Sequence, residues 1–325
     1  MSMNPFVFII GCPRSGTTLL QRLVDAHPRL TIIHETHWIP KWYYKARKQT
    51  PRGCVNRKLI RYLLQRRKFA RLGISRAELE QWIRSGEPVS YADFVGRVFD
   101  RYGEARGKPL VGDKTPAYAR NVDLLHTLWP KAKFVHLMRD GRDVCLSAIN
   151  WRKPGRLLRR ASSWREDPDI TAALWWEWHV RMARLSRKSL SEDLYYEMRY
   201  ESLVVQPAEE CAKLCAFLGL AYDEAMLRFY ETRRRNAPGL DAKEAWLPVT
   251  PGLRDWRSQM SASQLERFET AAGDLLDELG YSRAFSDPSP EARRQVLRVR
   301  DLFINDVRSR RRPMPERLGP INQTL

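Results

Sequence analysis

The chain has 325 residues, and its 57 Lys and Arg outnumber its 38 Asp and Glu, which gives a formal net charge of +19. A hydrophobic content of 43%, with 11 Trp and 12 Tyr, excludes an intrinsically disordered chain and suffices for a large core. No apolar run approaches the ~20 residues that cross a bilayer, and no signal peptide is recognisable, so we expect a cytoplasmic protein.

The first predicted unit is a strand, a loop and a helix. Phe6–Ile10 is a continuous run of β-branched and aromatic residues bounded by Gly11, which is typical of a strand buried on both faces. Apolar residues between Leu19 and Val24 then recur at helical spacing, and Pro28 stops the pattern. A glycine-rich turn therefore joins a strand to the start of a helix.

The same alternation continues along the chain and predicts an α/β fold with a central parallel sheet. Further buried strands are predicted at Leu30–Ile33, Leu110–Val111, Phe134–Met138 and Leu194–Met198. Helices are predicted at Tyr118–Leu128 after a cap at Thr115, at Ala172–Leu190, and at Ala208–Leu218, which Gly219 ends. The Trp175–His179 cluster is expected to pack on the sheet, although some of its rings could line a substrate pocket.

A basic block extends from Lys41 to Arg76, with 13 Lys or Arg and no acidic residue. A block of this kind must face water or an anion. A solvated helical surface and a surface for an anionic substrate are equally compatible with it.

The glycine-rich turn Gly11–Thr18 indicates an anion site, because free backbone N–H groups and the helix dipole meet at a helix N-terminus. It matches the nucleotide-binding loop G-x-x-x-x-G-K-[ST] except that Thr17 occupies the lysine position. The missing lysine disfavours a nucleotide kinase or hydrolase. Arg14, inside the loop, supplies a cation suited to a phosphate or sulfate group. A chance glycine turn without a ligand is the structural alternative.

Three motifs in order resemble the sulfotransferases that use 3′-phosphoadenosine 5′-phosphosulfate (PAPS). Pro13–Thr18 is similar to their 5′-phosphosulfate-binding loop, and Phe134–Val144, with Ser147 eight residues after Arg139, is similar to their 3′-phosphate motif. Tyr200–Val204 resembles a third segment. The loop arginine places the resemblance in the tyrosylprotein and bacterial-type branch.

The resemblance implies a P-loop-like sulfotransferase fold and a site for PAPS, with PAP as product and no metal required. It implies a single domain of residues 1–285, with 38–107 as a basic helical insertion on the acceptor side. The composition of 286–325 predicts a basic C-terminal helix and a frayed tail. The acceptor stays open between a small molecule, a carbohydrate, a lipid and a peptide, and an anionic acceptor would account for part of the positive charge. The implied cofactor-binding residues are Arg14, Ser15, Gly16, Thr17, Thr18, Arg139, Ser147, Tyr200 and Arg254.

Glu35 is the predicted general base, because it follows the second strand and stands 21 residues after Arg14, as in the tyrosylprotein type. Lys114, after the third strand, resembles a lysine that stabilises the transition state in that type, so Glu35, Lys114 and Arg14 form the predicted catalytic set. The alternative is that Glu35 only pairs with Arg14 or with the basic block. His34 and His37 are three residues apart, which fits no zinc pattern, and they remain secondary candidates for base or substrate contact.

The chain also departs from the family pattern. Trp151 stands where the tyrosylprotein type has an arginine, with Arg152 one place late, and Asp255 replaces a late cofactor-loop lysine for which Arg254 or Arg257 could substitute. Without the resemblance, Arg139 and Arg142 are equally well explained as salt-bridge residues. A kinase-type enzyme, or a polyanion-binding protein suggested by the charge alone, remain the rival functions, but no specific nucleic-acid motif is present.

Overall fold

The computed structural model describes residues 4–50, 53–84, 88–151, 161–231, 248–252, 254–310 and 314–315. The strands are β1 (Val7–Gly11), β2 (Leu30–His34), β3 (Leu110–Lys114), β4 (Lys133–Met138) and β5 (Tyr195–Arg199). They form one sheet in the order β2-β3-β1-β4-β5, and every pair of neighbours is parallel. The predicted α/β fold is confirmed.

The central strand β1 is buried on both faces of the sheet. Phe8 and Ile10 point into one core, whereas Val7 and Ile9 point into the other, since successive side chains of a strand alternate between the two faces. All four side chains are at most 3% exposed. This two-sided burial explains why β1 reads as an unbroken apolar run.

Helices cover both faces of the sheet and extend beyond its edge. They span Thr17–Asp25, Ile39–Gln49, Arg57–Leu64, Arg67–Ala70, Arg76–Arg84, Tyr91–Glu104, Val122–Leu128, Gly141–Ile149, Ser162–Glu166, Pro168–Arg187, Tyr200–Val205, Pro207–Leu218, Trp256–Gln259, Ala262–Glu278 and Pro290–Arg308. Two predicted helices are confirmed with shifted ends, namely Pro168–Arg187 and Pro207–Leu218, which ends at Gly219 in a left-handed conformation.

The single helix predicted over Tyr118–Leu128 is wrong. A 3₁₀ helix, Pro116–Arg120, precedes the α-helix, and the two are separated at Asn121, whose φ of −138° is not helical. Thr115 makes no side-chain cap. The buried Tyr118 hydroxyl hydrogen-bonds Thr36 Oγ1 at 2.7 Å and accepts from the Ile39 N–H at 3.1 Å, so a tertiary anchor holds this tight turn.

The helices between β2 and β3 form the predicted helical insertion, which packs on the face of the sheet that carries Phe8 and Ile10. The C-terminal helix Pro290–Arg308 packs through Val299 and Phe303 into the core around Pro168–Arg187. The domain boundaries at 285 and 286 stay predictions, and most of the predicted frayed tail lies outside the described residues.

Candidate active site

A predicted site residue lies at or just beyond the carboxyl end of every strand. These residues are Arg14 after β1, Glu35 after β2, Lys114 at the end of β3, Arg139 after β4 and Tyr200 after β5. Because the strands are parallel, the five ends share one edge of the sheet. The strand order reverses at β1, and the crevice at such a switch point is where α/β sheets bind ligands.

The loop after β1 is a tight turn that leads directly into the helix Thr17–Asp25. Arg14 and Gly16 have φ angles of 81° and 90°, and the Ser15 N–H donates to the Cys12 carbonyl at 3.1 Å. Ser15 is 1% exposed, and its Oγ has no hydrogen-bond partner within the described part of the chain. The loop therefore presents a buried hydroxyl beside a helix N-terminus, where anions bind.

The Tyr200 ring packs against Gly16 and joins the loop to β4. A Cβ atom at Gly16 would lie 2.3 Å from Tyr200 Cδ2, so the position admits only glycine. The Arg139 guanidinium carbon lies 4.1 Å from the centroid of the same ring. Arg139 Nη2 donates to Asp143 Oδ2 at 3.2 Å, whereas its buried Nε lacks a partner among the residues described. Arg139 thus retains a donor for a ligand.

Arg14 joins the loop to the helix Gly141–Ile149. Its Nε donates to Ser147 Oγ at 3.0 Å, and its guanidinium carbon lies 5.2 Å from the Trp151 ring centroid. Trp151, at the position where the tyrosylprotein type has arginine, therefore packs on the loop cation instead of adding a second one. Sequence reasoning missed this contact. Arg152 lies outside the described residues.

Glu35 and Lys114 meet across the ends of β2 and β3. Glu35 has a φ of 48°, and its N–H donates to the Lys114 carbonyl at 2.8 Å. Lys114 Nζ donates to Glu35 Oε1 at 2.9 Å and to Thr18 Oγ1 at 3.3 Å. The other carboxylate oxygen, Oε2, contacts His37 Nε2 at 3.2 Å and Lys68 Nζ at 3.4 Å. The predicted catalytic pair is thus in direct contact, and Lys114 links it to the loop.

These contacts keep the Glu35 carboxylate ionised. Burial alone would raise its pKa, but the hydrogen bond with His37 and the charge of Lys114 outweigh burial and hold the pKa well below the ordinary value. For His34, burial and then the Lys114 charge lower the pKa to about 4, so its ring is neutral at pH 7. That ring hydrogen-bonds Gln21 Oε1 at 2.8 Å.

Arg142, in contrast, is a structural residue. It is 1% exposed, and its guanidinium binds both oxygens of Asp140, at 3.0 and 2.8 Å, and Glu269 Oε1 at 2.7 Å. Its guanidinium carbon lies 3.6 Å from the Trp256 ring centroid. The salt-bridge interpretation is therefore correct for Arg142, which ties the turn after β4 to the helix Ala262–Glu278.

The tryptophan cluster belongs to the core, as predicted. Trp175, Trp176 and Trp178 are at most 5% exposed. The Trp176 indole N–H donates to the Arg139 carbonyl at 3.1 Å. These rings support the turn that carries Arg139 rather than lining an open pocket.

Asp255 has a local structural role that explains its departure from the family lysine. It is the N-cap of the helix Trp256–Gln259 and accepts from the Arg257 N–H at 3.1 Å. The Trp256 N–H donates to Asp143 Oδ1 at 3.0 Å, which brings this segment beside the Arg139 ion pair. Arg254 lies two residues before Trp256, and its role in binding a cofactor stays a prediction.

Neither a metal-binding cluster nor a membrane-spanning helix is present among the residues that the structure describes. Within them, no group of three or more His, Cys, Asp or Glu side chains is arranged to hold a metal ion. No helix in the same residues is long and apolar enough to cross a bilayer.

The family model described as "Sulfotransferase family" matches residues 5–224, and the chain belongs to this family. The chain is 27% identical to the Drosophila melanogaster protein-tyrosine sulfotransferase over 230 residues, and this alignment covers 70% of this chain and 40% of that protein. It is 26% identical to the nodulation protein NoeE of Sinorhizobium fredii over 297 residues, and this alignment covers 85% of this chain and 66% of NoeE. The chain thus spans less than two thirds of either relative.

A solved structure confirms the sulfotransferase fold. The sulfotransferase domain of the Synechococcus PCC 7002 olefin synthase superposes with a TM-score of 0.59 at 24% identity, covering 86% of this chain and 95% of that domain. The expected P-loop-like architecture with a helical insertion is therefore present.

Proposed function

We propose that the protein transfers the sulfuryl group of PAPS to a hydroxyl or amine acceptor and releases PAP. The observation that carries this proposal is the contact of Lys114 with both Glu35 and Thr18, because it joins a carboxylate to an anion-binding loop at one edge of the sheet. Membership of the sulfotransferase family supports it.

The residues of the site fit the two anionic ends of PAPS. Ser15, Gly16, Thr17 and Thr18, with Arg14, would hold the 5′-phosphosulfate through backbone N–H groups, hydroxyls and a guanidinium. Arg139 and Ser147 would hold the 3′-phosphate, and Tyr200 and Arg254 would contribute further contacts to the cofactor. The Ser15 hydroxyl and Arg139 Nε, both buried and without a partner in the described chain, are donors that such phosphates would satisfy.

PAPS, when bound, supplies the activated sulfuryl group, and the side chains move the proton and stabilise charge. Glu35 accepts the proton of the acceptor hydroxyl as a new oxygen–sulfur bond forms. Lys114 and Arg14 stabilise the negative charge that develops on the phosphate as the old sulfur–oxygen bond breaks. The reaction needs no metal in this proposal.

The basic surface of the insertion favours an anionic acceptor. Within the described residues of the block Lys41–Arg76, only Lys68 and Arg76 form salt bridges with a carboxylate. The other described cations of the block have no such partner, and all but Lys45 are exposed. This surface adjoins the base through Lys68, so an acidic peptide, carbohydrate or lipid would be attracted towards Glu35.

A transfer assay tests the proposed function directly. Purified protein is incubated with PAPS labelled in the sulfuryl group and with tyrosine peptides, oligosaccharides and glycolipids, each in neutral and acidic forms. Labelled acceptor together with an equal amount of PAP is the expected result. Magnesium-dependent ATP turnover without sulfuryl transfer would instead support the kinase-type alternative.

A further inference from the structure

Lys68 is the residue through which Glu35 pairs with the basic block, and the sequence did not single it out among the cations of that block. It lies on the short helix Arg67–Ala70 of the insertion, 33 positions from Glu35, and its Nζ is 3.4 Å from Glu35 Oε2. Lys68 is partly buried, with 37% of its side chain exposed, whereas Arg66, Arg67 and Arg71 on either side are exposed surface residues. One cation of an otherwise solvent-facing block is thus turned towards the site.

The position of Lys68 is fixed by its neighbour in the chain. Phe69 is 1% exposed and packs edge-to-face on Trp38, with ring centroids 5.3 Å apart. Trp38 itself lies three residues after Glu35 and is 3% exposed. The same core contact therefore ties the Lys68 helix to the segment that carries the base.

The two oxygens of Glu35 face different surroundings. Oε1 is held by Lys114, whose side chain is completely buried and also reaches Thr18 in the loop. Oε2 is held by His37 and Lys68, whose side chains are 44% and 37% exposed. An acceptor arriving from solvent therefore meets Oε2, and Lys68 occupies that oxygen before it does.

We propose that Lys68 is a positioning residue through which the basic insertion controls the base. In the resting enzyme Lys68 keeps the Glu35 carboxylate ionised and its Oε2 directed outwards. Lys68 withdraws when the acceptor hydroxyl takes the place of its ammonium group beside Oε2. The inference rests on the proposed function, because it gives Glu35 the role of base. It assigns to the insertion a part in catalysis as well as in acceptor binding.

The charged groups around Glu35 define what the test must separate. His34 and Lys114 face the carboxylate from the interior, His37 and Lys68 face it from the solvent side, and Asp113 lies near both lysines. The Lys68→Met variant removes one of these charges and keeps the length of the side chain. Lys68→Arg keeps the charge, and Arg67→Met removes a charge from the same helix without touching Glu35.

The experiment is the pH dependence of acceptor kcat/KM for the wild type and these three variants. The acid limb of the wild type lies below pH 5, because the pKa of Glu35 is lowered. We expect Lys68→Met to move the midpoint of that limb upwards by about half a pH unit or more while the Kd for PAP stays unchanged, since a neighbouring cation lowers the pKa of a carboxyl. Lys68→Arg restores the wild-type midpoint, and Arg67→Met leaves that midpoint unchanged whatever it does to acceptor KM. An unchanged midpoint in Lys68→Met, or an equal loss at every pH that Lys68→Arg does not rescue, would overturn the inference.

A second readout does not need turnover. Carbon-13 NMR of glutamate carboxyls, with Glu35 assigned by the signal that Glu35→Gln removes, gives the Glu35 pKa in the wild type and in Lys68→Met. An upward shift of the Glu35 pKa in Lys68→Met supports the contact even if PAPS is not the donor. In that case only the proposed function fails. An unmoved Glu35 signal in an enzyme that turns over PAPS contradicts the role of Lys68 alone.

Discussion

The ammonium group of Lys114 is completely buried and donates a 2.9 Å hydrogen bond to Glu35 Oε1. Lys114 ends β3 and Glu35 directly follows the neighbouring parallel strand β2, and the pairing of His34 with Lys114 in the sheet register fixes their separation. The proposed base is therefore positioned by the backbone of the sheet, and its chemistry is coupled to the phosphate loop by one side chain.

Replacement of Glu35 by Gln removes the proton acceptor and preserves the shape of the side chain. We expect kcat to fall by about 10²- to 10⁴-fold, the usual contribution of a positioned base, with little change in PAP affinity. Steady-state kinetics and calorimetric titration with PAP measure the two quantities. Loss of PAP binding together with turnover would mean that Glu35 only maintains the structure of the site.

Replacement of Gly16 by Ala should abolish cofactor binding without unfolding the protein. The φ of 90° is unfavourable for alanine, and the new methyl group would overlap the Tyr200 ring. Gly219→Ala is the matched control, because Gly219 also has a left-handed φ, 74°, but nothing lies within 4 Å of its added Cβ.

The two alanine variants are compared by PAP titration and thermal unfolding. Gly219→Ala is expected to cost stability of about 1 kcal/mol and to retain PAP binding. Equal PAP affinity in Gly16→Ala and the wild type would show that the loop after β1 does not bind the cofactor.

The Arg142–Glu269 ion pair should be a major contributor to stability. Both side chains are at most 1% exposed, so Glu269→Ala leaves the Arg142 guanidinium with Asp140 but without its second carboxylate, and it also removes the acceptor of two backbone N–H groups, at a cost of about 3 kcal/mol. Glu278→Ala, on the same helix, removes a more exposed carboxylate that binds Arg181 and should cost about 1 kcal/mol or less. Urea denaturation of both variants measures the difference, and similar losses would contradict a structural role specific to Arg142.

The pH dependence of the wild type follows from the lowered pKa of Glu35. A carboxyl with a depressed pKa remains ionised below its ordinary value of about 4.3, so Glu35 should cause no acid limb in kcat/KM between pH 5 and pH 7. The ionised Glu35 carboxylate also stabilises the folded state. This stabilisation is complete above about pH 4.3 and is lost as the pH falls towards the lowered pKa. A fall in kcat/KM with a midpoint near pH 6 that Lys114→Gln shifts upwards would show that the base is less strongly paired in solution.

Local sequence signals were sufficient for the features that depend on chain neighbours. The apolar runs located all five strands, most clearly β1, which is covered on both faces and is continuously apolar. The glycines of the loop and the residue that follows each strand then placed Arg14, Glu35, Lys114 and Arg139 at one sheet edge. For these residues, topology follows from the order of strands and helices.

Contacts between distant segments could not be predicted in the same way. Lys68 was one cation among 13 in the basic block, and only the burial of Phe69 selects it as the one that reaches Glu35. Arg142 and Glu269 are 127 positions apart, and no local pattern links them. The 3₁₀ turn at Tyr118 likewise depends on a hydroxyl contact with Thr36, which overrides the helical pattern of its own segment.

PAPS dependence is tested by calorimetric titration of the wild type and of Arg139→Ala with PAP, at moderate salt, with ATP and magnesium as the paired ligand. We predict one-to-one PAP binding, much weaker ATP binding, and a loss of about 10- to 100-fold in PAP affinity for Arg139→Ala, as expected for a hydrogen-bonded charge. PAP binding that is absent, or no tighter than ATP binding, would contradict a PAPS-dependent sulfotransferase.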